Sequence, residues 1–236
     1  MGLKRSGCVV IFGLLAFTVM LALPVTVLAW DREAARDYAE LWSSNTEIYR
    51  NSAYKDFGGN DCTNFTSQSF VAGGIQMDGI GSGWEMHQVF GGCAWGTPWA
   101  VAWSLWEYWK MPLPNGDRYL LGTYDFLPNT SSGAPPFNVP DVQRGDIVSY
   151  VTAAANNDNG FDGSTWEDIN HCAIITGINS HSTVKPSWQG TLTCQHATDH
   201  FRVAWNVKDR TTEAIYTKYG YCVWGLTNSV TTGLCP

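Results

Sequence analysis

Apolar and polar positions change their rhythm along this chain, and the change divides it into parts. An apolar run spans Cys8 to about Leu23. Apolar residues then return at helical spacing: Ala34, Ala35, Tyr38, Leu41 and Trp42 share one face of a helix running from Arg32 to about Ser43, with Asp31 placed to cap it. A turn-rich link, Asn51 to Asn60, leads to a second, short helix that opens at Cys62 and can end at Gly73-Gly74. Gly-rich sequence with little periodicity follows to Gly96. Trp99 to Lys110 is helical again, and Pro112 to Asn138 reads as loop with at most short strands. From Val142 the pattern turns to strands: Ile147 to Tyr150 after a Gly145-Asp146 turn, His171 to Ile178, Thr191 to His196, and Arg202 to Val207. Between the first two lies a polar insertion, Ala155 to Trp166, too rich in Asn, Asp and Gly to be core. Helices first and strands later predict an α+β domain on an antiparallel sheet. No repeat, linker or second domain interrupts residues 30–236.

Trp99, Trp103, Trp106 and Trp109 put four indoles near one helix face. They read as the buried stripe of an amphipathic helix or as an exposed platform for a ligand.

The N-terminus bears on compartment. Lys4 and Arg5 precede the first apolar run, and Val27-Leu28-Ala29 offers small residues for cleavage, the order of a secretory signal peptide over residues 1–29. An uncleaved anchor is the other reading of that run. Losing Lys4 and Arg5 would take the formal charge from −7 to −9. So acidic a chain has no basic stripe and argues against a nucleic-acid partner. The expected protein is secreted, monomeric and not inserted in a membrane after cleavage.

Of the seven cysteines, Cys8 lies in the signal, leaving Cys62, Cys93, Cys172, Cys194, Cys222 and Cys235. An exported chain can hold disulfides, and Cys222 with Cys235 is the expected bridge.

Cys62 is the informative cysteine. Asn60 or Asp61 can cap its helix through a side-chain oxygen, and a thiol on the first turn meets the positive end of the helix dipole, which favours thiolate. Such a group attacks carbonyls when a base stands beside it. His171 opens a strong strand and is rigidly presented. His196 ends the next strand, from where its ring can point at His171. If both histidines face one site, Cys172 points to the other face while Cys194 shares the face of His196, so a Cys172–Cys194 bridge is not expected. His196, His200 and Cys194 also suggest a metal cluster. Without a Cys-x-x-Cys pair no metal and no cofactor is expected.

The order of motifs resembles the putative amidase domain family, a bacterial branch of the papain-like, NlpC-type cell-wall peptidase superfamily. The resemblance rests on Asn51 to Gln68 with its Asp61-Cys62-Thr63-Asn64-Phe65 block, on Ala72-Gly73-Gly74, Asp31 to Ala39, Thr97-Pro98-Trp99, Arg144 to Val148, Ile169 to Gly177 and His196 to Asp199. It implies a papain-like fold with Cys62 as nucleophile, His171 as general base and His196 as the polar residue orienting the imidazole, a role Asp199 contests. Tyr54 resembles a tyrosine that helps hold the oxyanion together with the Cys62 N–H, and Asp61 supports the site. The implied activity is a secreted cysteine amidase or peptidase acting on peptidoglycan stem peptides or another amide substrate. Two alternatives stand. One is a non-catalytic wall- or carbohydrate-binding protein using exposed tryptophans such as Trp84 and Trp95. The other is an acyltransferase or deamidase with the same triad. The insertion before His171 reads as a surface loop, with a lid as the alternative.

Overall fold

The first element forms where the helical pattern begins. In the computed structural model, which describes residues 30–79, 83–90, 92–110, 120–121, 142–150, 169–197, 199–205 and 221–226, helix α1 spans Arg32–Leu41. The Asp31 carboxylate accepts from the Ala34 N–H at 3.0 Å, the expected cap. Its buried face is Arg32, Ala35 and Ala39 rather than one containing Leu41, which is 69% exposed. Arg32 forms a buried ion pair with Asp146, tying α1 to the turn before the sheet. Burial pushes the Asp146 carboxyl up, against the opposing pull of the Arg32 charge.

Helix α2 spans Cys62–Ala72, and all of its residues from Cys62 to Phe70 are buried. It packs against α1 and against the sheet, so it has no solvent face. Gly73 ends it for a steric reason: a Cβ there would meet the Trp30 ring at 2.1 Å. Gly74 follows with φ +93°, a conformation that suits glycine.

Helices α3 (Thr97–Ala100) and α4 (Ala102–Lys110) replace the single helix expected from the tryptophan spacing, with Val101 extended between them. Trp99, Trp106 and Trp109 are buried in the helix-side core with Phe65, Phe70 and Trp84. The core reading therefore holds for those three indoles. Trp84 is fully buried and cannot belong to a carbohydrate-stacking surface.

Strands β1 (Met86–Val89) and β2 (Gly92–Trp95) form a hairpin in sequence expected to be irregular. The remaining strands are β3 (Leu120–Leu121), β4 (Ile147–Tyr150), β5 (His171–His181), β6 (Gln189–Gln195), β7 (His200–Ala204) and β8 (Tyr221–Leu226). They form one antiparallel sheet in the order β3-β8-β4-β5-β6-β7. The fold is thus mixed α+β, as expected. β8, which the sequence reading missed, pairs along the full length of β4. Cys172, Ile174 and Cys194 join the helix-side core, whereas Val148, Tyr150, Ala173 and Ile175 pack on the other face with Trp188 and Trp205. No described helix is long and apolar enough to cross a membrane. The segment expected to be a signal peptide, most of the Pro112–Asn138 stretch, the 155–168 insertion and Cys235 lie outside the described residues.

Candidate active site

Asp61 precedes α2 but does not cap it; no side chain does. Its carboxylate turns inward instead. Oδ1 accepts from the Phe57 N–H at 3.0 Å and from Asn64 Nδ2 at 2.7 Å, and Oδ2 lies 2.6 Å from His196 Nδ1. This corrects the expected cap. The Asp61 side chain serves tertiary contacts, and the first-turn N–H groups of α2 are left without a side-chain acceptor.

One residue later, Cys62 is buried at the helix start, against the first residues of β5. Burial pushes its thiol up. The charge and hydrogen bond of His171, with hydrogen bonds to Thr63 and the Cys172 backbone, outweigh this and hold the thiol below its ordinary value. The neighbouring Cys172 thiol goes the other way, raised by burial and by the charge of Cys62. Cys194 is likewise raised by burial. Among three buried thiols, only that of Cys62 is biased toward thiolate. A cavity of about 440 Å³ opens beside it, lined in part by Asn60, Cys62, Thr63, Trp103 and His171. A thiolate and an imidazole facing a cavity are the groups that nucleophilic attack and proton transfer require.

His196 does not take the expected place against His171. Its Nδ1 faces Asp61 and its Nε2 lies 2.6 Å from the Trp42 carbonyl oxygen. Carboxylate and carbonyl oxygens only accept here, so both contacts are hydrogen bonds when each nitrogen carries a proton. No ring nitrogen is left to orient a second imidazole. The ring also stacks on Phe65, with centroids 3.9 Å apart. Asp199 is not at His171 either: its two oxygens accept from Arg50 Nη1 and Nη2, each at 3.1 Å. Arg50 also approaches Asp61 at 3.4 Å and Asp56 at 3.3 Å. Tyr54 stacks on Trp99, with centroids 5.8 Å apart, and burial pushes its hydroxyl up.

The premise that both histidines share a sheet face fails as well. His196 packs on Phe65 of the helix-side core, whereas His171 packs against Tyr150 of the opposite face. The register pairs Ile174 with Cys194, so Cys172 and Cys194 lie on one face as diagonal neighbours. Such neighbours are about 7–8 Å apart, too far for an unstrained bridge. Both are free, as are Cys62 and Cys93, and no disulfide occurs among the described residues. No group of three metal-ligating side chains occurs among them either, the His196–His200 segment included.

Sequence reasoning missed Arg50, Asn64 and Trp42. Asn64 sat in the motif already singled out, and its side chain explains the motif: it donates to Asp61 and to the Lys55 carbonyl and accepts from Trp99 Nε1 at 2.6 Å. The Trp42 carbonyl and the Arg50–Asp199 pair carried no local signal, because the partners are more than a hundred positions apart in the chain.

The comparisons bear on these residues together. No solved structure matches the chain. A stretch of 128 residues is 45% identical to the uncharacterized protein YhbB of Bacillus subtilis (strain 168), covering 51% of this chain and 32% of that protein. The chain thus spans about a third of that relative's length. A family model described as a putative amidase domain matches residues 29–219, a span that includes Cys62, His171 and His196. The chain therefore belongs to the putative amidase domain family, whose description points to amide hydrolysis by a hydrolase.

Proposed function

We propose that the protein is a secreted cysteine amidase or peptidase of papain-like type, cleaving amide bonds in peptidoglycan stem peptides. The observation that carries this reading is the Cys62 thiol, held toward thiolate by His171 although it is buried, at the edge of a cavity. A structural thiol in that position would be raised, as Cys172 is.

In the proposed reaction, His171 takes the Cys62 proton, the thiolate Sγ attacks the carbonyl carbon, and the electron pair moves to the carbonyl oxygen. The uncapped N–H groups at the start of α2 favour charge on that oxygen. The intermediate collapses as His171 gives a proton to the nitrogen, the C–N bond breaks, and the amine leaves. Water then loses a proton to His171 and attacks the thioester, which releases the acid and restores the thiol. His196 and Asp61 are positioning residues that hold the chain immediately before Cys62. The buried Trp84 removes one support for a purely carbohydrate-binding role.

The test incubates the protein and its Cys62→Ala variant with purified peptidoglycan and reads released fragments by mass spectrometry. New fragments from the parent alone are expected, and their masses name the bond. Equal product patterns from both proteins would remove Cys62 from the chemistry. Absence of products from both would remove peptidoglycan as substrate.

A further inference from the structure

Trp103 is the exception among the four tryptophans of α3 and α4: it is 42% exposed where the other three are buried. The extended Val101 interrupts the helix at this point, with φ −122° and ψ 121°. Trp103, Val101 and Ile169 form apolar wall in the cavity that holds Cys62 and His171, and Asn60 and Asn170 add uncharged polar groups. Among the described residues lining that cavity there is no Asp, Glu, Lys or Arg. The charges gather instead in a neighbouring cavity of about 430 Å³, beyond Gly59 and Ala197, where Glu47, Asp56 and the paired Arg50 and Asp199 lie.

This partition has a consequence for what enters. An ionised side chain in the Cys62 cavity gives up water and, the Cys62–His171 pair apart, meets no counter-charge among the described lining residues, a costly exchange. An apolar side chain laid on an exposed indole gains contact area and loses nothing polar. We propose that the Cys62 cavity selects an uncharged, apolar side chain next to the scissile amide, and that Trp103 is the residue that recognises it. This specificity rests on the amidase reading and narrows it to amides flanked by neutral residues.

The experiment separates recognition from turnover. The full chain carrying Cys62→Ala, which binds without cleaving, is titrated calorimetrically with capped tripeptide amides whose central residue is Leu, Phe, Lys or Glu. Leu and Phe peptides are expected to bind roughly tenfold tighter than Lys and Glu peptides. Adding Trp103→Ala should abolish that ratio, while Trp103→Phe keeps most of it. Equal affinities, a ratio that survives Trp103→Ala, or no binding by any of the four overturns the proposal. The parent protein is assayed for hydrolysis of the same peptides. Cleavage without preference, together with equal affinities, sinks the specificity and leaves the amidase reading standing. Selective binding without cleavage sinks the amidase reading and leaves the recognition standing.

Discussion

Two adjacent residues, Asp61 and Cys62, each meet one histidine, and the two meetings differ in kind. At Asp61 the partner is His196, whose ring nitrogens are both taken, by a carboxylate and by a carbonyl. Beneath it Phe65 stacks, and Arg50 links Asp61 to Asp199. At Cys62 the partner is His171, and the pair faces a cavity. A saturated histidine is fixed in place and has nowhere to pass a proton. A histidine against a thiol at a cavity edge can take a proton and return it. One residue type thus serves structure in one position and suits chemistry in the next, and what stands against the ring, a carboxylate and a carbonyl or a thiol at a cavity edge, separates the cases.

The comparison is broken most directly at His171. His171→Ala should lower amide hydrolysis by on the order of 10²–10⁴-fold. It should also move the midpoint of Cys62 alkylation to higher pH. The sign follows from the causes: His171 pulls the thiol down and burial pushes it up, so its removal leaves burial opposed only by the weaker Thr63 and Cys172 hydrogen bonds. Rates of iodoacetamide reaction across pH check this, and an unmoved midpoint would detach His171 from the thiol.

His196→Ala should act on the other side of the comparison. It strips a buried carboxylate of a partner and should cost about 3–5 kcal/mol of unfolding free energy. In the protein that stays folded, the pH midpoint of Cys62 alkylation should hardly move. Chemical denaturation and alkylation of the same sample read both quantities. A large midpoint shift with unchanged stability would transfer His196 to the chemistry.

Arg32→Met tests a buried ion pair far from either histidine, with an expected cost of about 3 kcal/mol at neutral pH. Asp146 already has a raised folded pKa, so the stability it supplies is present at low pH and is lost as pH rises through that value. Without Arg32 the pKa rises further. The deficit of the variant should therefore grow with rising pH and shrink toward acid, which denaturation at several pH values would show. The smallest effect belongs to Arg50→Gln, about 2 kcal/mol, because Asp61 keeps His196 and Asn64 when the guanidinium is lost.

Local pattern carried much of the fold. Asp31 as a cap, Gly73-Gly74 as a stop and the strands at β4, β5 and β6 follow from capping, steric and alternation rules that act within a few residues. The hairpin of β1 and β2 was not legible, because Gly92 and the exposed Phe90 break any period-two signal. Leu41 was misplaced because α1 is covered mainly from the side of Ala35 and Ala39.

The site divides along the same line. Cys62 and His171 were readable because each sits at the start of a regular element, where local rules say what a side chain is offered. The place of His196 was not, since it depends on Asp61 turning inward and on a carbonyl 154 positions away. By itself the sequence determined the first two helices, the strands β4 to β6, the family and the cysteine at a helix start. Only the tertiary structure decided that His196 is held by other acceptors, and which of four tryptophans is left in the cavity. Those choices turn on burial and on partners distant in the chain, and no local period encodes either.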